Sequence, residues 1–432
     1  MSDGQKVRFA KNGIKILSYK NTSVHSCHIS LYVRAGCMYE CPEENGITHF
    51  LEHLLYRNVN VLMGGSLYST LDKLSIELGA ATYNEMMQFN ASGEYRGFRD
   101  MASIITKLFS PLVLDKSEFL AEQARVKAEI RESDDRAALA TFVGAIVNEG
   151  TPLAGTILGT PGSISSLSFK RMEAYRREIF TADNVFLYVS GNFTDEELQY
   201  LCTLVEKFEP SVAQAHKNIA PVPEKFGKRE LVPHIKNADF TMVRFNFDMD
   251  MSALNPGEDD LLYDVLLGGN NSRFYIELSE KRGVFYDVSG SVEKYKNIGS
   301  FSFTYEMRAG SLYEAIRLSL AILSDMKRRT LPEDECMKHG YVFGGELLLD
   351  DPRELGYTFA YDTEMMGYPY GDTKERSEMY KNITPERLRE AASVIFKAEN
   401  MVLGIKGAKR KIDTEKIKAI ISDFAGDKLV LD

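Results

Sequence analysis

The feature that most constrains this chain is an internal echo. The segment IFTADNVFLYVSGNFTDEEL, beginning at Ile179, is repeated in character by IFKAENMVLGIKGAKRKIDTEKI, beginning at Ile395. Phe180 pairs with Phe396, Asn184 with Asn400, Leu187 with Leu403 and Gly191 with Gly407, each at a separation of 216 residues, half of the 432 in the chain. Both copies read as a helix end, a short turn, an apolar strand, a glycine and a new helix, which is the signature of a duplicated unit. Between the copies, Pro210, Pro221, Pro223 and Pro233 cluster with Gly227 in a stretch from Lys207 to Pro233 with little apolar periodicity. That composition marks a linker. The expected organisation is a domain over 1–215, a linker over 216–233 and a second domain over 234–432.

Each half opens on alternating segments that read as strands, HISLYVRAG from His28 and FTMVRFNFDM from Phe240, and then passes into helical patterns. Strands and helices mix without strict βαβ alternation. The expected class is therefore α+β, two tandem domains of similar topology, each a mostly antiparallel sheet packed with helices.

In NGITHFLEHLLYR, Ile47, Phe50, Leu51, Leu54 and Leu55 fall on one apolar stripe of a helix. His49, Glu52, His53 and Tyr56 fall on the other face, so the two imidazoles project one turn apart and can share one ion, with Glu52 beside both. Zinc on three protein ligands keeps a fourth position open, and a neighbouring carboxylate must take a proton for hydrolysis to proceed; the order H-x-x-E-H supplies both needs. A third ligand is sought in FLAEQARVKAEIRESDD, a strongly helical run in which Glu122 and Glu129 lie two turns apart on one face. Glu129 is placed to reach the ion and Glu122 to support the site from behind it.

Composition narrows the partners. The formal charge of −10 and the lack of a basic block argue against nucleic acid, and the acidic excess mildly favours basic peptides. No stretch of about 20 apolar residues suggests a membrane span, and the first residues lack the apolar core of a signal peptide, so a cytoplasmic location is expected. The five cysteines are odd in number with no C-x-x-C pair and read as free thiols.

With these residues in view, the chain resembles the pitrilysin, insulinase and mitochondrial processing peptidase family, whose motif is H-x-x-E-H followed about 75 residues later by E-x6-E. Here Glu129 follows His53 by 76 residues. The resemblance implies that His49, His53 and Glu129 hold Zn2+, that Glu52 is the general base and that Glu122 is the supporting acid. A second likeness lies in LLGGNNSRFYIELSEKRGVFYDVSG from Leu266, where Arg282 and Tyr286 match the family's Arg/Tyr pair, which holds the substrate backbone and polarises the scissile carbonyl. Gly283 suits a left-handed helix cap between them. The family's substrate-pairing edge strand usually reads Gly-Gly-x-x-Asn-Ala-x-Thr; GAATYNEMMQF from Gly79 departs from it, with Tyr83 or Asn84 at the asparagine position. The resemblance also implies half of a clamshell chamber that cuts extended or unfolded peptides. The chain would pair as a homodimer, or as a heterodimer with a related peptidase-like subunit. A catalytically silent scaffold or peptide-binding subunit is the alternative.

Overall fold

A computed structural model describes residues 4–132, 137–285, 288–336, 338–342 and 344–431. It contains two sheets. The first is built from β1 (Gln5–Phe9), β2 (Lys15–Lys20), β3 (Ser26–Val33), β4 (Glu77–Thr82), β5 (Met87–Glu94) and β6 (Val185–Gly191), in the order β1-β2-β6-β3-β5-β4. The second is built from β7 (Pro233–Asn237), β8 (Thr241–Asp250), β9 (Val288–Lys294), β10 (Ile298–Met307) and β11 (Met401–Gly407), in the order β7-β11-β8-β10-β9. The last five strands of the first order and all five of the second have the same topology. In each, the parallel pair is the first strand with the last, β2 with β6 and β7 with β11, and the remaining ladders are antiparallel.

The echo in the sequence has a shared physical cause in both copies. Asn184 Nδ2 donates to the carbonyl of Ile179 at a helix end and to that of Arg34 just beyond β3, and Asn400 Nδ2 donates to those of Ile395 and Val394, so each asparagine satisfies a helix-end carbonyl that has no partner within the helix. Phe180, Phe396, Leu187 and Leu403 are all buried.

Two compact units result, and they depart from the contiguous halves that the linker composition predicts. One comprises 1–133, 155–218 and 344–376; the other comprises 134–154, 219–343 and 377–432. In the first unit, helices Phe98–Thr106 and Asp195–Val205 pack behind the sheet, and the helix Pro352–Phe359 packs on β3 and β6. That approach requires a small residue: a Cβ on Gly356 would come within 2.8 Å of Ser190 Oγ and 3.2 Å of His28 Cδ2. In the second unit, helices Leu312–Arg328, Pro385–Ile395 and Thr414–Ala425 cover the Phe245, Phe247, Phe301 and Phe303 face. The helix Ala137–Val147 lies on the other face, where Leu139, Val143 and Val147 meet Met242 and Val402. Gly404 allows it: a Cβ there would come 2.2 Å from Val143 Cγ2. Each sheet thus receives one covering helix from the other half of the sequence, because a sheet face left apolar must be buried wherever the helix comes from.

All five cysteines are free thiols. Among the described residues, no helix is long and apolar enough to cross a membrane.

Candidate metal centre

The helix Ile47–Leu62 carries the histidines. Its predicted stripe is fully buried, with Ile47, Phe50, Leu51, Leu54 and Leu55 at most 1% exposed, and each such side chain contributes about 1.5–3 kcal/mol on leaving water. Its N-terminus is fixed by a buried carboxylate that the local sequence does not announce. Glu40 Oε2 accepts from Gly46 N (2.8 Å) and Oε1 from Thr48 N (3.0 Å), satisfying free amides and complementing the positive end of the helix. The helix Lys116–Glu132 lies against it, Phe119 packing on Phe50 with ring centroids 5.3 Å apart. Asp115 and Glu118 exchange side-chain to backbone hydrogen bonds at its start. The third wall is the edge strand β4.

These three elements bring His49, His53 and Glu129 together, with one potential ligand atom from each lying within 4.8 Å of the others. Among the described residues this is the only such group of three. Glu129 Oε1 is 3.7 Å from His49 Nε2, and Glu129 Oε2 is 3.4 Å from His53 Nε2. Tetrahedral zinc with bonds near 2.0–2.1 Å places its ligand atoms about 3.3 Å apart, so the donor set has both the chemistry and nearly the spacing that zinc requires. The two imidazoles are inclined at 73° with centroids 4.8 Å apart. Burial, and then the neighbouring His53, push the His49 pKa down to about 4, leaving that imidazole neutral with a lone pair to offer.

Glu122 stands behind the cluster. Its Oε2 is 3.5 Å from His53 Nδ1, the ring nitrogen turned away from Glu129. Burial works to raise its pKa, but the contact with His53 and the charges of Arg125 and Arg57 outweigh it and hold the carboxylate ionised. A carboxylate in this position fixes the tautomer and orientation of a ligating histidine. Glu52 faces the same space from the same helix, and Thr82 Oγ1 at the end of β4 donates to its Oε2 at 2.6 Å. Burial raises the Glu52 pKa against the opposing effects of Thr82 and His53, the direction that suits a proton acceptor working near neutrality.

Thr82 had no signal in the sequence, nor had Tyr357. The latter arrives on the helix Pro352–Phe359 and hydrogen-bonds Tyr83, their rings 6.3 Å apart. Tyr83 and Asn84 lie in the turn joining β4 to β5. The Tyr83 phenol is within electrostatic reach of Glu52, whereas Asn84 Oδ1 accepts from Cys37 Sγ at 2.8 Å and its carbonyl from Met38 N at 2.9 Å. A cavity of about 290 Å3 opens beside the cluster, lined by Glu52, His53, Tyr56, Tyr68, Arg57 and Arg125 among others. In the second unit, Arg282 follows the helical turn Tyr275–Glu280 and its Nη1 donates back to the Glu277 carbonyl and carboxylate, both at 2.8 Å. Gly283 takes the left-handed conformation expected of it, with φ +58. Tyr286 lies outside the described residues.

Known proteins place this geometry in context. Residues 15–161 match the insulinase family, peptidase family M16, and residues 166–339 match the peptidase M16 inactive domain. YmxG of Bacillus subtilis, described as an uncharacterized zinc protease, is 23% identical over 348 residues, which span 78% of this chain and 82% of that protein. The structure of a protease from Helicobacter pylori superimposes with a TM-score of 0.82 at 16% identity, covering 94% of this chain and 100% of the other. The periplasmic protease PqqL from Escherichia coli superimposes with a TM-score of 0.79 at 16% identity over 100% of this chain and 51% of its own. At such identities the structural matches speak for the fold, and the sequence matches for descent: the chain belongs to the insulinase family, peptidase family M16.

Proposed function

We propose that the chain is a zinc-dependent endopeptidase subunit acting on extended or unfolded peptides inside a chamber formed by two subunits. The observation that carries this reading is the meeting of His49, His53 and Glu129 at ligand spacing with Glu52 alongside. Zinc held there would supply Lewis-acid polarisation of a carbonyl and acidify a water near neutral pH. This chain's own part is to hold the metal through the three side chains, to accept a proton on the Glu52 carboxylate and to deliver it to the leaving amine. Thr82 holds Glu52 in place by its 2.6 Å hydrogen bond. The exposed edge of β4 offers unpaired backbone groups to which an extended peptide could add as a further strand. Arg282, with Tyr286, is assigned to the substrate backbone and the carbonyl.

The half-length overlap with PqqL supports a chain that supplies half of the chamber, completed by a second copy or by a related subunit. The inactive-domain description of the match over 166–339 favours a second reading, a silent or peptide-binding subunit. One experiment separates the two. A library of unstructured peptides is incubated with the zinc-loaded chain, with and without chelator, using Glu52→Gln as the blank. Cleavage that chelator stops, that zinc restores and that the Gln variant lacks while retaining its zinc is the expected result. No cleavage by the zinc-loaded chain, alone or with a candidate partner, would refute the peptidase reading.

A further inference from the structure

The face of the second sheet opposite its aromatic core is rich in hydroxyls. Alternation along the strands turns Phe301, Phe303 and Tyr305 of β10 inward, so Ser302 and Thr304 project to the other side, level with Ser291 and Ser289 of the neighbouring β9. An arginine stands among them, with Glu293 of β9 and Glu306 of β10 further along the same face. Arg244 of β8 lies opposite Thr304 in register. Its Nη1 donates to Thr304 Oγ1 at 2.9 Å and its Nη2 to Ser302 Oγ at 2.8 Å, and Ser302 meets Ser291 at 3.0 Å. Its Nε is buried without an acceptor.

Among the described residues, no carboxylate forms an ion pair with Arg244. Glu293 of β9 acts on it through space, but that carboxylate accepts a hydrogen bond from the Tyr295 hydroxyl at 2.5 Å. A guanidinium keeps its charge at every pH a protein tolerates. Arg244 is partly exposed, and all of its own hydrogen bonds go to neutral hydroxyls, so the guanidinium keeps capacity for an anionic acceptor. The arginine head is also incompletely used. Each Nη has directed one hydrogen at a hydroxyl, which leaves a second on each. Arg244 borders a cavity of about 1130 Å3 that is also lined by Ser289, Thr304, Glu306 and Arg308. Among the described residues that line it, the charged ones are Arg244, Arg308 and Glu306.

We propose that Arg244 is a carboxylate-binding residue that seats an acidic group of the peptide, either its C-terminal carboxylate or an Asp or Glu side chain, against the hydroxyl face of the second sheet. The identity of the ligand as a peptide rests on the peptidase reading; the preference for a carboxylate rests on Arg244 and its spare guanidinium hydrogens. A planar carboxylate matches paired guanidinium hydrogens, and the serine and threonine hydroxyls can rotate to donate to its oxygens. Overall acidity favours basic peptides in the long-range field, whereas Arg244 selects for an acidic group at one place.

Binding is measured by fluorescence anisotropy of labelled unstructured peptides on the full-length Glu52→Gln chain, with zinc removed so that neither turnover nor metal contact contributes. Four peptides are compared: one with a free C-terminal carboxylate, the same peptide amidated, one with an internal Glu, and that one with Gln in its place. Removing the responsible carboxylate is expected to weaken binding about tenfold. Arg244→Gln, which keeps donors for Ser302 and Thr304, should bind the members of that pair equally, and Arg244→Lys should preserve part of the difference. A contrast confined to the terminal pair identifies the ligand as the C-terminus, and one confined to the internal pair identifies it as a side chain; either supports the proposal. Equal binding of all four, no binding of any, or a contrast that survives Arg244→Gln overturns it. Wild-type, zinc-loaded chain is assayed for cleavage on the same four peptides, so that a failed peptidase reading is seen separately from a failed carboxylate site.

Discussion

Replacing Glu122 by Gln keeps the size and shape of the side chain and removes its charge, which makes it a clean probe of how the candidate metal centre is supported. Glu122 is buried, its side chain 7% exposed, with Oε2 3.5 Å from His53 Nδ1. Groups that orient ligating histidines from behind typically change metal affinity by about 10- to 100-fold when altered, equivalent to about 1.4–2.8 kcal/mol. Two features of the structure place this residue at the lower end. The 3.5 Å separation exceeds that of a strong charge-assisted hydrogen bond, and Arg57 and Arg125, each 4.0 Å from the carboxylate, already share its charge. Glu122→Gln is therefore expected to weaken zinc binding about tenfold, the amide oxygen still accepting from Nδ1–H. Glu122→Ala, which also removes the acceptor, should approach a hundredfold, and Glu129→Gln should exceed both. Competition against a chromophoric chelator at fixed pH gives the constants directly. Affinity within about threefold of wild type for both Glu122 variants would refute a supporting role, and a loss as large as that of Glu129→Gln would make Glu122 a ligand.

Two further predictions concern stability. His28 is buried between the Ser92 and Ser30 hydroxyls, and burial first, then Arg353, push its pKa from 6.5 down to about 3. Below pH 6.5 the unfolded chain therefore gains a proton that the folded chain refuses until near pH 3, so stability falls as the pH falls through that window, by roughly 2 kcal/mol at about pH 5. Urea unfolding at about pH 7.5 and about pH 5 should show this loss, and His28→Gln should flatten it; an unchanged pH dependence in the variant would refute the assignment. Arg229 forms a buried two-point ion pair with Asp248, at 2.7 Å for both contacts, and holds the Val147 carbonyl. Arg229→Met should cost the second unit about 3–5 kcal/mol by stranding Asp248, and adding Asp248→Leu should restore most of it. A loss below about 1 kcal/mol in the single variant, read by urea unfolding, would show that the carboxylate finds water or a proton instead.

The parts of the site that were legible are those whose causes are local. The stripe from Ile47 to Leu55 and the opposed His49, Glu52 and His53 are separated by three and four residues, and helical periodicity alone sets their faces. Glu122 and Glu129 are readable for the same reason, although that they meet the histidine helix was implied only by the resemblance. Thr82, Tyr357 and Glu40 were not readable. Thr82 reaches Glu52 because an edge strand lies beside a helix, Tyr357 arrives from a segment 274 residues beyond Tyr83, and Glu40 caps a helix it precedes by a turn that is not a helix start signal.

By itself the sequence determined the duplication, the α+β class, the two helices of the candidate metal centre and the side chains they present. Their causes are period, spacing and the recurrence of an asparagine that caps a helix and a strand that comes after it. Only the tertiary structure decided that Pro352–Phe359 belongs with the first sheet and Ala137–Val147 with the second, since a helix's apolar face does not encode which sheet will bury it. It also decided that Glu129 Oε1 and Oε2 stand 3.7 and 3.4 Å from the two imidazoles. The same holds for Arg244, one more alternating residue of a strand until β10 places two hydroxyls and no carboxylate against it. Neighbours across a sheet are set by register, and register is a property of the folded chain.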